Sequence, residues 1–294
     1  MKIKIVFIGV ILTCVFVFFI AKDKGNYIHT ANKSELYTNS KEEIRKWLIN
    51  DSLYQKEDVE QAKLFSKHEM KISIEDSSIQ KVSKIGSYLI EHLHSKLGNP
   101  DSAMFKRTPW EQFHFIKDSS AEFYCTQYSA MFTFFCRVNG LATREIECKG
   151  KNDLHIFNET YLPETKQWVY TDLTQGIISI QKQNRLMHLL DVYEVLYSQS
   201  KWPMLQCNVN DCSTMKQVGF ESFVEQLKYN FDSQCVFYFY QNADLSIQPS
   251  PLFKQTKPCA LVYSNNIVYF KWPFIRWVSI VLGLVMIYKL IKLF

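Results

Sequence analysis

The sequence predicts an α+β protein in which a buried helix beginning at Cys125 packs on an antiparallel sheet carrying His155 and Asp172. Three observations predict it. Residues 125–138 are apolar around nearly the whole circumference of a helix (Tyr128, Ala130, Met131, Phe132, Phe134, Phe135, Cys136, Val138) and meet a stop signal at Asn139-Gly140. A helix apolar on all sides is buried on all sides. Two strand-like runs, 155–162 (HIFNETYL) and 167–173 (QWVYTDL), flank Pro163-Glu164-Thr165-Lys166, a turn that folds them into an antiparallel hairpin. Apolar segments at the two ends of the chain bracket residues 22–271, enough for one domain with a sizeable core and an appendage.

Taken in order, Ile3 to Ala21 follow Lys2 and Lys4 as an apolar run long enough to cross a bilayer core of about 30 Å. Phe18-Phe19-Ile20-Ala21-Lys22-Asp23 lacks a small-x-small cleavage site, so residues 1–21 read as a retained membrane anchor. Cys14 within it reads as a lipid-facing or helix-packing thiol. Residues 22–40 are a polar tether. Ser40-Lys41-Glu42-Glu43 is a capping box opening a short helix through Ile49. The domain spans 41–200 with its core at 77–176, and an amphipathic helix from Ser78 to Leu97 ends at Gly98-Asn99-Pro100. Beyond the hairpin, 187–199 and 220–229 read as helices. Residues 235–240, and the pair 259–263 and 267–271, read as strands, giving an α/β appendage over 201–271. Residues 272–294 form a second transmembrane helix, with Trp272, Trp277 and Tyr288 at interfacial depth and Arg276 and Lys289 snorkelling. Flanking charges are nearly balanced, so the default for an uncleaved anchor decides the topology: both termini in the cytoplasm, residues 22–271 outside.

The chemistry rests on three side chains. A thiol attacks carbonyls as thiolate, and a cysteine becomes one at neutral pH through a helix N-terminus, a cation or a histidine partner. Cys125 opens a helix, whose positive end favours an anion by roughly 0.3–1 kcal/mol. A histidine must do the rest. A hairpin centred between Pro163 and Glu164 sets His155 directly opposite Asp172, and a register two residues away leaves the pair diagonal on one face. A register one residue away would separate them onto opposite faces. In the favourable registers Asp172 fixes the imidazole tautomer and leaves the other nitrogen for Cys125.

The motifs extend beyond these residues: Cys125, Ala130, Arg137-Val138-Asn139-Gly140-Leu141, Arg144, His155-Ile156-Phe157-Asn158-Glu159 and Trp168-Val169-Tyr170-Thr171-Asp172-Leu173-Thr174. This order resembles the transglutaminase-like superfamily, a variant of the papain-like cysteine fold, over about Ser77 to Gly176. Phe123 and Thr126 stand where that family often has Gly and Trp. The resemblance implies a bacterial-type, membrane-anchored cysteine enzyme with Cys125, His155 and Asp172 as triad and a thioester intermediate. Its substrate would be a peptide or Gln-type amide in the cell envelope, resolved by hydrolysis or acyl transfer. In the wider fold a Trp or Gln side chain completes the oxyanion hole, which makes Trp110 and Gln112 the candidates here. The alternative is a catalytically inactive binding or scaffold module within a membrane assembly, with other membrane proteins as partners.

Several classes are excluded. The net charge of +5 forms no basic stripe interleaved with aromatic residues, which argues against nucleic acid. No paired C-x-x-C, H-E-x-x-H or acidic calcium loop is present, so neither a metal nor another cofactor is expected. Disulfides are open to a domain outside the cytoplasm; Cys207 and Cys212 are nearest in sequence, but spacing assigns no connectivity. Cys136 and Cys148 read as structural thiols, Arg144 and Glu159 as framework ion-pairing residues, and His114 and His188 as solvated or core histidines. Leu162-Pro163-Glu164-Thr165-Lys166 resembles a sorting signal, yet it lies within the hairpin and reads as its turn.

Overall fold

The computed structural model describes residues 28–30, 33–37, 39–49, 54–150, 154–197, 205–211, 214–219, 222–231, 235–240 and 260–264. Both anchor segments, 1–21 and 272–294, and the strand expected over 267–271 lie outside these residues. Among the described residues no helix is long and apolar enough to cross a membrane.

After β1 (Ile28–Thr30) and the short helices α1 (Lys33–Leu36) and α2 (Lys41–Arg45), a helical layer is built from α3 (Lys56–His68), α4 (Ser78–Leu93), α5 (Pro109–Asp118) and α6 (Cys125–Val138). Local chemistry sets these boundaries. Ser77 caps α4 through Gln80, whose side chain accepts from the Ser77 N–H at 2.8 Å, and Thr108 and Glu111 cap α5 reciprocally with Pro109 in the first turn. The helix expected to reach Leu97 ends at Leu93 and tightens into a 3₁₀ turn over His94–Lys96. Likewise α2 stops at Arg45, short of Ile49.

The helix α6 is buried from Gln127 through Val138. One side meets an aromatic cluster, with Phe135 5.0 Å from Phe113 and Phe134 5.0 Å from Tyr54 between ring centroids. Its polar positions face the sheet: Asn158 Nδ2 donates to the Ser129 carbonyl at 3.1 Å and to Thr133 Oγ1 at 2.8 Å. Buried amides need such partners, so these bonds fix how the helix seats on the sheet.

That sheet runs β1-β10-β9-β2-β3-β4, with β2 (Thr143–Lys149), β3 (Leu154–Leu162), β4 (Gln167–Thr171), β9 (Val236–Tyr240) and β10 (Ala260–Ser264). A second sheet, β6-β5-β7-β8, comprises β5 (Ile177–Lys182), β6 (Arg185–Leu186), β7 (Leu205–Asp211) and β8 (Thr214–Gly219). Two further helices, α7 (Leu189–Tyr197) and α8 (Val224–Asn230), fall within the expected helical stretches. Strands of the 201–271 segment extend both sheets, since β9 pairs with β2 and β7 with β5. Cys207 lies in β7, whereas Cys212 lies outside the described residues.

The hairpin register differs from the one centred between Pro163 and Glu164. Leu162 pairs with Gln167 and Asn158 with Thr171, an offset of two residues that leaves His155 diagonal to Asp172 rather than opposite it. The cause is the turn, which takes all four of Pro163–Lys166 out of the ladder and closes through Lys166 at φ 54°. The Glu164 carboxylate in this turn accepts from the Ser78 N–H at 2.8 Å, tying the positive end of α4 to the hairpin.

Arg144 and Glu159 face each other across β2 and β3 as a fully buried ion pair, with Nη2 2.6 Å and Nε 3.0 Å from Glu159 Oε2. Tyr37 Oη donates to the other carboxylate oxygen at 3.1 Å, and the guanidinium lies 4.0 Å from the Trp168 ring centroid.

Candidate active site

Cys125 is the first residue of α6 and is half-buried. Before it, Phe123 is wholly buried, held by backbone bonds to Lys96 and Gly98 (3.2 and 3.0 Å) and an edge contact with Tyr128 at 5.1 Å. The Tyr124 N–H donates to Gln127 Oε1 at 3.0 Å, so the chain enters the helix at a set angle. The Cys125 N–H belongs to the first turn, where backbone donors have no intrahelical acceptor.

His155, the second residue of β3, has two partners. Its Nε2 is 2.7 Å from Asp172 Oδ2. The Cys125 side chain bears on the same ring electrostatically. Asp172 has left β4 to cap a 3₁₀ turn over Leu173–Gln175, which ends at Gly176 with φ 71°. This departure carries its carboxylate back along the hairpin, so the diagonal register still lets it reach His155. The buried carboxylate also accepts from Tyr170 Oη at 3.1 Å and from the Gln175 N–H at 3.3 Å. Behind the turn α4 approaches closely at Gly86, where a Cβ would lie 3.3 Å from Ile178 Cγ1 and 3.4 Å from Leu173 Cδ2.

These surroundings set the charge of the imidazole. Burial works to lower its pKa, but the charge and hydrogen bond of Asp172, joined by Cys125, outweigh it and push His155 up from 6.5 to about 10. At neutral pH the ring is an imidazolium with the Asp172 carboxylate on Nε2. A cation beside a cysteine favours the thiolate, the nucleophilic form.

The oxyanion candidates sit elsewhere. Trp110 and Gln112 are both buried on α5, with Trp110 Nε1 donating to Gln61 Oε1 at 3.1 Å and Gln112 Nε2 to the carbonyls of Met104 and Arg107 at 3.2 and 2.9 Å. Their donors are thereby committed within the helical layer. His114, also on α5, lies 3.5 Å from Asp118 and packs edge-on against Trp110 at 4.3 Å. Tyr170 escaped the sequence reading, although its place two residues before Asp172 puts it on the same strand face. Tyr128 escaped it too: one helical turn after Cys125, its buried hydroxyl has no hydrogen-bond partner among the described residues. Burial and the charge of Asp172 push that hydroxyl's pKa well above 10. Among the described residues, no group of three His, Cys, Asp or Glu could hold a metal ion.

No curated protein matches the sequence. Among solved structures, a protein from Cytophaga hutchinsonii provisionally described as a cysteine protease is similar at a TM-score of 0.35 and 14% identity, over 46% of this chain and 43% of that one. The chain therefore spans less than half the length of that protein. Residues 68–173 match the family model of the transglutaminase-like superfamily. That stretch runs from the end of α3 to the turn after Asp172 and includes Cys125 and His155, so the similarity to a transglutaminase-like superfamily domain covers the candidate site.

Proposed function

We propose that the protein is a membrane-anchored cysteine enzyme that cleaves peptide or Gln-type amide bonds in the cell envelope through a thioester on Cys125. The observation that carries this reading is the buried His155–Asp172 pair, Nε2 2.7 Å from Oδ2, whose imidazolium is also favoured by Cys125 at the head of a buried helix. The Cys125 thiolate adds to the amide carbon, and the negative charge passes to the carbonyl oxygen, within reach of the Cys125 N–H. The His155 imidazolium gives its proton to the leaving nitrogen as the C–N bond breaks. The neutral ring then takes a proton from water or an amine, which attacks the thioester and restores the thiolate and imidazolium. Asp172 holds the ring in the orientation and tautomer this exchange needs, and Tyr170 and the Gln175 N–H hold Asp172.

The apolar segments 1–21 and 272–294 support a two-pass protein with both termini in the cytoplasm and the domain outside. Labelling of intact cells with a membrane-impermeant maleimide checks this topology: cysteines introduced in the tether should react, and those added at either terminus should not.

Thiol reactivity tests the chemistry. At pH 6 iodoacetamide should alkylate Cys125 far faster than Cys136 or Cys148, and His155→Ala should abolish the difference. Cys136 is an internal reference, since burial pushes its thiol up to about 12. Equal sluggishness of all three would overturn the enzyme reading in favour of an inactive scaffold.

A further inference from the structure

We propose that Cys148 and Cys235 form a disulfide bridge that joins the transglutaminase-like domain to the strand following α8. Cys148 is the penultimate residue of β2, and Cys235 immediately precedes β9, which pairs antiparallel with β2. In that pairing Cys148 stands opposite Phe237, so Cys235 lies two residues along the partner chain, diagonal to it. The two sulfurs, 87 residues apart in sequence, are 3.1 Å apart. A disulfide bond is about 2.05 Å long, so closure asks for a movement of about 1 Å. Both sulfurs address one acceptor, the Asn230 carbonyl, at 3.6 and 3.8 Å, and both are fully buried beside Phe231 and Phe237. Among the described residues, the other free cysteines have neighbours of their own, Cys125 beside His155 and Cys136 beside the hydroxyls of Thr143 and Thr160.

The oxidant is a disulfide of the glutathione or protein-oxidoreductase class. One cysteine thiolate attacks it to give a mixed disulfide, and the other displaces the bound half. Two electrons and two protons leave the pair, and the oxidant departs as two thiols. Because both sulfurs are buried in the folded chain, the exchange precedes or accompanies the docking of β9 on β2. The bridge does not depend on Cys125 acting as a nucleophile. Its position gives it a structural consequence all the same: Cys148 stands directly opposite His155 in the β2–β3 pairing, so the cross-link clamps the strand beside the histidine.

Cell-free synthesis of the full chain into lipid vesicles, in an oxidising or a reducing glutathione buffer, lets the thiols meet the oxidant before burial. The products are quenched in acid, alkylated in denaturant and digested without reductant. The oxidising arm should yield a linked peptide containing Cys148 and Cys235, and the thermal midpoint should exceed that of the reducing arm by on the order of 10 °C. Cys235→Ala should remove both. The linked peptide is read on the wild-type chain, so the test stands even if the variant fails to fold. Alkylation of both cysteines in the oxidising arm, or attachment of either to a different cysteine or to glutathione, would overturn the proposal.

Discussion

Replacing Asp172 by Asn preserves the shape of the side chain and removes its charge, which isolates what the carboxylate does for the sulfur. In the wild type Asp172 is the main influence keeping the buried His155 cationic to about pH 10, against an ordinary value of 6.5. At 1.36 kcal/mol per pH unit that gap is worth about 5 kcal/mol in favour of the imidazolium. Without the charge, burial works against the imidazolium and only Cys125 still favours it, so the pKa of the ring falls. The cation beside Cys125 is then less favoured. Alkylation of Cys125 at pH 6 should therefore slow. The assay follows the Cys125 peptide by mass spectrometry over pH 5–9 under excess iodoacetamide, with near-ultraviolet circular dichroism to verify folding. The rate of Asp172→Asn should lie below that of the wild type at pH 6. A folded Asn variant alkylated at the wild-type rate at pH 6 would refute the argument that the carboxylate governs the sulfur through the imidazole.

Stability should report the same interaction. Because the folded-state pKa of His155 is raised, its contribution is complete below pH 6.5 and disappears as the pH climbs through about 10; urea midpoints of the wild type should converge on those of His155→Ala over that range. Glu159→Gln leaves the Arg144 guanidinium buried without its counter-charge and should cost about 3–5 kcal/mol in urea denaturation, while the double replacement Arg144→Leu with Glu159→Leu should recover much of it. Gly176 takes φ 71° with no atom within 4 Å of a built Cβ, so Gly176→Ala should cost about 1–2 kcal/mol from conformational strain alone, seen as a lowered thermal midpoint.

How much of this was legible in the sequence varies with the range of the interaction. The helix bearing Cys125 begins and ends where its composition placed it, because a largely apolar run is closed by Gly140 at φ 78°. The hairpin was legible as a hairpin, while its register depended on which turn residues leave the ladder. An offset of two is harmless only because side chains repeat every two residues. A different error hid α5. Thr108, Pro109 and Glu111 together carry the N-cap, the proline and the capping box of a helix start, yet the aromatic and amide side chains there drew a reading as oxyanion donors. The helix α3 is mostly charged and fully buries only Ala62 and Ser66, so its apolar period is faint. Contacts between distant segments, such as that of Cys148 with Cys235, leave no local trace, because spacing says nothing about which strand will arrive alongside.

The absent side chain at Gly86 carries one more consequence. Leu173 and Ile178, the residues a methyl there would press on, flank the bend that presents the acid to the imidazole. The acid's position is therefore braced from the rear by a helix that bears none of the reacting groups. Cys125 and Asp172 belong to different segments of the chain, each supported by its own helix. Loosening either support would dismantle the site before any reacting atom was altered.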